Sequence, residues 1–115
     1  MARTQQLGEA AERRAAEHLA RAGLDLVARN YRCRGGEIDL VMRDGAALVF
    51  VEVRYRSRPG FGTAAESVDA RKRRRLILAA EHYLQANRVR SPCRFDVVGI
   101  DAGGQIEWLR DAFGT

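Results

Sequence analysis

One stretch constrains the fold more than any other: Gly-Glu-Ile-Asp-Leu-Val-Met-Arg-Asp-Gly-Ala-Ala-Leu-Val-Phe-Val-Glu-Val-Arg-Tyr-Arg, residues 36–56. It reads as two strands around a tight turn, with Asp44-Gly45 as the two central residues, because both tolerate the positive φ of a primed hairpin turn. Closing the hairpin there sets Arg43 opposite Ala46, Val41 opposite Leu48 and Asp39 opposite Phe50. Side chains alternate along a strand, and opposed residues share a face. Ile38, Leu40, Met42, Ala47, Val49, Val51 and Val53 therefore line one face. Glu37, Asp39, Val41, Leu48, Phe50, Glu52 and Arg54 line the other. Asp39 and Glu52 become diagonal neighbours with Arg54 beyond them, so acids and a base stand where a strand normally buries apolar groups.

The rest of the chain must supply the layers that cover this hairpin. With 115 residues, 46% of them hydrophobic and 30% charged, the expectation is one globular domain over residues 1–115. No apolar run approaches the ~20 residues that span a bilayer and no signal-peptide pattern opens the chain, so no membrane partner and a cytoplasmic location are expected. Cys33 and Cys93 form no metal-ligand pattern and read as reduced structural thiols. The net charge of +5 favours polyanionic partners such as nucleic acid. Lys72 is the single lysine in a total of 20 basic residues.

A helix is expected from about Thr4 to Ala22, with Thr4 as N-cap and Gly23 as the stop. Leu7, Ala11, Ala15, Leu19 and Ala22 form its apolar stripe, and Glu12 falls inside that arc, where an acid is costly without a partner. Leu24–Arg32 reads as a first strand turning at Arg34-Gly35-Gly36 into the hairpin. Residues 57–63 read as an exposed loop, with Arg56 and Arg58 placed to contact a phosphate backbone or simply to be solvated.

A second helix is expected over about residues 65–86, with Val68, Leu76, Ala79, Ala80, Tyr83 and Leu84 facing inward. Arg71, Arg74 and Arg75 fall outside the apolar arc, as a phosphate-binding patch or a solvated face. Lys72 lies inside it. A lone lysine aimed inward needs an acid or a task. Cys93–Ile100 reads as a fourth strand, Gly103-Gly104 as a turn and Gln105–Leu109 as a fifth strand. A long helix between strands three and four implies a parallel crossover, hence an α/β fold with a mixed central sheet and helices packed on it.

Two close carboxylates repel, so one pKa rises unless a cation sits between them. Oxygen-only ligation suits magnesium, or manganese, which takes one or two carboxylates together with substrate phosphate. A positive residue two positions after the second acid would stabilise a phosphoryl transition state. Other chemistries find less footing. His18 and His82 lie on separate helices, no phosphate-binding Gly-rich loop is present, and Ser57, Ser67 and Ser91 lack an evident base.

Several segments together resemble the YraN-like family of small bacterial proteins, expected nucleases of the PD-(D/E)xK superfamily. They are Gly8-x-x-Ala11-Glu12-x-x-Ala15-x-x-x-Leu19-x-x-x-Gly23, Gly36-Glu-Ile-Asp-Leu-Val, Val49-Phe-Val-Glu-Val-Arg, Cys93-Arg-Phe-Asp-Val-Val and Glu107-Trp-Leu-Arg-Asp-Ala-Phe. The resemblance implies a restriction-endonuclease-like αβββαβ core, similar to archaeal Holliday junction resolvases. It implies Glu12, Asp39 and Glu52 as metal-binding acids, with Arg54 at the signature lysine position. It also allows a homodimer, because junction resolvases work as dimers. Arginine at 54 departs from the pattern: a guanidinium is bulkier and permanently charged, though it can still clamp a phosphate. Lys72 is placed to deliver the missing ammonium. The expected function is a magnesium-dependent nuclease on DNA, including branched or structured DNA. The alternatives are a nucleic-acid-binding protein that keeps the fold without catalysis, and a scaffold whose basic face meets an acidic protein.

Overall fold

The computed structural model describes the backbone of residues 2–56 and 67–114, with side chains described over 8–55 and 67–114. Helix α1 (Ala2–Arg21) is followed by strands β1 (Asp25–Cys33), β2 (Gly36–Asp44) and β3 (Ala47–Arg56). Helix α2 (Ala70–Ala86) then leads to β4 (Cys93–Asp101) and β5 (Ile106–Phe113). The five strands form one sheet in the order β1-β2-β3-β4-β5. β3 and β4, joined through α2, are parallel, and the other neighbouring pairs are antiparallel. The mixed sheet expected from the long helical crossover is thus observed.

Alternation along β3 separates two cores. Val49 and Val51 join Leu40, Met42, Val98 and Ile100 under Ala11, Ala15 and Leu19 of α1. Leu48 and Phe50 join Val41, Phe95 and Val97 under Leu76, Ala79, Ala80 and Tyr83 of α2. One helix therefore covers each face. Each fully buried Leu, Ile, Val, Met or Phe contributes roughly 1.5–3 kcal/mol of transfer free energy.

Several boundaries differ from the sequence reading. α1 begins at Ala2, so Thr4 lies within the helix rather than capping it. Its end is as expected: Gly23 takes φ +102° and the Leu24 N–H returns to the Leu19 carbonyl at 3.1 Å. α2 begins at Ala70, capped by Asp69, whose carboxylate accepts from the Lys72 N–H at 2.9 Å. β5 runs to Phe113 because Phe113 stacks on Phe95, ring centroids 5.0 Å apart.

The hairpin register also shifts. Asp44 pairs with Ala47 and Arg43 with Leu48, so Gly45 and Ala46 are the turn residues. Gly45 has φ +60° and Ala46 no positive φ, the pattern of a type II′ turn with glycine first. Asp44 stays in the strand, where Arg94 Nη1 donates to its carboxylate at 2.9 Å. A two-residue shift preserves the faces, but extending this register sets Asp39 directly opposite Glu52 rather than diagonal to it.

On β2, alternation breaks at the position that matters most. Ile38 packs with Val41 and Phe50 on the α2 side, whereas Leu40 packs on the α1 side. Strict alternation had put Ile38 and Leu40 together. On the neighbouring strand, Ala28 and Tyr31 both pack on the α2 side. Between them Asn30 adopts φ +52°, a left-handed conformation that asparagine tolerates better than most residues. The β1–β2 ladder is recorded at Arg29↔Leu40 and Tyr31↔Ile38, so Asn30 and Asp39 sit opposite each other at the break.

A candidate active site where β2 leaves β3

Asp39 occupies that break. The β2–β3 ladder ends at Leu40↔Val51, and beyond it the Asp39 side chain takes over from the backbone: the Val53 N–H donates to Asp39 Oδ2 at 2.9 Å. Glu52, the next residue of β3, is only 3% exposed. A buried glutamate on a central strand needs cations, and two are supplied. Lys72 Nζ lies 3.0 Å from Glu52 Oε2, and Arg54 Nη1 lies 3.5 Å from the same oxygen. Arg54 is steered from the other side by Ser67, to which its Nε donates at 3.1 Å.

The electrostatics follow from this crowding. Burial, the Glu52 charge and a hydrogen bond with Glu52 push the Asp39 carboxyl up to about 8. One backbone donor, the Val53 N–H, only partly offsets them. Two carboxyls in one pocket hold a proton between them until a stronger cation replaces it. The Glu12 charge acts on Asp39 more weakly than Glu52 does.

Glu12 approaches from the α1 side. Burial raises its pKa, while a hydrogen bond to Asn30 and the nearby Arg29 pull the other way. Its Oε1 is buried without a hydrogen-bond partner. The backbone break at Asn30 and Asp39 thus has a site-building role: Asp39 faces the Glu52–Lys72 side while Asn30 holds Glu12. The three acids expected to share a metal do not close into one cluster. Among the described residues no group of three or more Asp, Glu, His and Cys side chains is arranged to hold an ion. The tight unit is Asp39 with Glu52.

Lys72 meets the acid that its inward position requires, although its side chain is 40% exposed. It forms part of a cleft of about 280 Å³ with Glu37, Asp69, Arg71, Arg75 and Leu76. Arg71 and Arg75 therefore share this cleft with Lys72, the residue that links it to Glu52. Arg74 is exposed and does not line that cleft. Arg73, not singled out in the sequence, turns inward: its Nε donates to the Val68 carbonyl at 3.1 Å and its guanidinium lies 5.3 Å from the centre of the Phe113 ring. The Arg56 side chain and Arg58 lie outside the described residues.

A family model described as uncharacterised protein family UPF0102 matches residues 11–100, most of the chain. The chain belongs to this family. A UPF0102 protein of Dechloromonas aromatica is 59% identical over 92% of this chain and 87% of its own length. One of Cupriavidus pinatubonensis is 59% identical over 96% and 87%, and one of Pseudomonas putida 54% over 92% and 91%. These names state a family and no activity. The stretch matched to UPF0102 contains Glu12, Asp39, Glu52, Arg54 and Lys72, and it stops before β5.

Three contributors escaped the sequence reading. Asn30 left a trace, since an asparagine inside a strand is a candidate for the left-handed conformation. Asp69 left another, as an acid three residues before Lys72 in an N-cap arrangement. Ser67 left none, because its partner Arg54 is distant in sequence.

Proposed function

We propose that this UPF0102 protein is a divalent-metal-dependent nuclease with a restriction-endonuclease-like core, acting on phosphodiester bonds of DNA in the cytoplasm. The observation that carries the reading is the Asp39–Glu52 pair, crowded enough to hold a proton near neutrality and backed by Lys72. The element order αβββαββ is compatible with the αβββαβ core that the resemblance implies, and the acids stand where β2 leaves β3. Asp39 and Glu52 would hold magnesium or manganese, with Glu12 as a further acid on the α1 side, and the carboxylate donor set fits such an ion. When bound, the ion supplies charge neutralisation at the phosphate and an activated water.

The chain's own groups do the remaining work. Lys72 is the ammonium beside Glu52, able to orient a water and offset charge that develops on phosphate oxygens. Arg54, held by Ser67, clamps a non-bridging oxygen. Arg71 and Arg75 steer the polyanion to the acids. The decisive experiment is a cleavage screen over duplex, single-stranded, flap and four-way-junction DNA, and RNA, with magnesium or manganese and Asp39→Asn as control. Cleavage by the unaltered protein that vanishes in Asp39→Asn supports the reading; no cleavage on any substrate defeats it.

A second reading is favoured by the lack of a three-acid cluster among the described residues and by arginine at 54. It is a nucleic-acid-binding protein that has kept the fold without the chemistry.

A further inference from the structure

The basic cleft does not end at Arg75. Arg71, Arg75, Leu78 and His82 recur at helical spacing along one side of α2. That side lies against β1 and the turn that follows it. The Arg75 carbonyl abuts Gly36, and a β-carbon built on Gly35 would touch Leu78 Cδ1 at 3.7 Å. Tyr31 of β1 bonds His82 Nδ1 through its hydroxyl and sets its ring edge-on to Tyr83, centroids 5.0 Å apart. The result is a strip about 16 Å long by helical rise, basic at the end beside Glu52 and apolar to aromatic at the other.

Among the described residues Leu78 is the most exposed large apolar side chain, at 52%, and His82 beside it is exposed too. Neither contributes to the buried core. The two arginines suit phosphates, whereas a leucine offers nothing to a phosphate backbone, and the His82 ring, tied through Nδ1 to Tyr31, adds a flat face beside it. Leucine and imidazole together offer a face on which a base can lie. In a duplex the base faces are hidden in the stack, so only unpaired bases can use them.

We infer that the strip from Arg71 to His82 binds an unpaired nucleic-acid strand leading away from the acid pair, with phosphates on Arg71 and Arg75 and bases on Leu78 and His82. The inference rests on the nuclease reading for its direction and sharpens it, since it selects substrates with a single-stranded segment beside the scissile bond.

Fluorescence anisotropy in chelator, without metal, tests binding apart from cleavage. The probes are a labelled oligothymidylate dodecamer, its abasic counterpart and a duplex of the same length. The protein should bind the thymidylate about fivefold or more tightly than the abasic strand, as expected for base stacking. Leu78→Ser with His82→Ala should erase that preference and leave duplex binding unchanged. Arg71→Ser with Arg75→Ser should weaken both single strands and reduce the salt slope by about 1.4, at roughly 0.7 per phosphate. Arg13→Ser with Arg21→Ser, exposed on α1, should change neither by more than about twofold.

Photocrosslinking of a 4-thiothymidine strand to the unaltered protein gives a check that needs no variant. Crosslinks within residues 75–82 or at Tyr31 support the strip, and crosslinks only elsewhere overturn it. Equal binding of the thymidylate and abasic strands, or a preference that survives the Leu78 and His82 changes, also overturns it. Absence of this preference in the unaltered protein, with cleavage intact, removes the inference alone, whereas a preference without any cleavage removes the nuclease reading alone.

Discussion

Two aspartates on the same sheet, one buried and one half-buried, show opposite ways of placing a carboxylate inside a small protein. Asp96 of β4 is 1% exposed and fully provided for. Arg94 grips it through Nε at 3.0 Å and Nη2 at 3.2 Å, Trp108 Nε1 donates at 2.9 Å, and the Asp111 N–H donates at 2.9 Å. Arg94 then reaches on to Asp44 at the hairpin turn, so one guanidinium ties β4 to the β2–β3 hairpin. Its contacts with Asp96 hold the Arg94 proton still more firmly than usual. Asp39 has one backbone donor and faces a second acid. A buried carboxylate with its acceptor sites filled is architecture. One left short of donors beside another acid is a place awaiting a cation. The donor inventory separates them more sharply than exposure does.

The contrast can be broken in order of expected effect. Asp96→Ala should cost about 3–5 kcal/mol, because it removes two of the contacts of the half-buried Arg94 guanidinium and strands two further donors. Urea unfolding should show the midpoint collapse, and a loss under about 1 kcal/mol would deny Asp96 its structural role. Next, Lys72→Ala should lower the cleavage rate about a hundredfold or more if cleavage is found. Its stability should fall by about 1–3 kcal/mol, since the buried Glu52 loses its nearer cation and keeps only the longer contact with Arg54. Full retained activity would reject Lys72 as the working ammonium.

Asp39→Asn should move stability the other way. The folded carboxyl titrates near 8 against an ordinary 3.8, so without metal its contribution is complete below about 4 and is lost as pH rises through 8. Above pH 8 the amide should therefore be more stable than the acid by about 1–2 kcal/mol, and the two should converge near pH 4. Thermal melts across that range check the sign, and added magnesium should narrow the gap at high pH by stabilising only the unaltered protein. Smallest of all, Trp108→Phe removes one of the Asp96 donors and should cost about 1 kcal/mol. A loss as large as that of Asp96→Ala would mean that packing of Trp108 against His18 matters more than the hydrogen bond.

Much of this could be read from the residues before any coordinates. The alternation in Leu48–Val53 does sort the two cores, and the helix after β3 does make β4 parallel to it. Glu52, Asp39 and Lys72 do meet. What the sequence concealed has physical reasons. Gly45 serves a type II′ turn as readily as a type I′ turn, and Arg94, fifty residues on, selects between them by holding Asp44 in the strand. The alternation rule cannot register the irregularity that β1 and β2 share at Asn30 and Asp39, so it places Ile38 on the wrong face. Arg73 reads as one more charge in a run, yet its long stem lets the guanidinium reach the Val68 carbonyl and the Phe113 ring. Asp96 carried a signal, an acid amid apolar residues of a strand, but its donors are scattered over Arg94, Trp108 and Asp111.

Gly36 has a bearing on which length changes the chain can accept. A methyl there would collide with the Arg75 carbonyl and crowd Ala79, so the glycine acts as an index mark that fixes the rotational phase of α2 on the sheet. Lys72 precedes that mark by less than one turn. A residue inserted ahead of Asp69 leaves the phase untouched. One inserted between Lys72 and Arg75 turns Lys72 about 100° around the helix and carries its ammonium off Glu52. Related chains should therefore vary in length before Asp69 and keep strict spacing from Lys72 to the residue that meets Gly36.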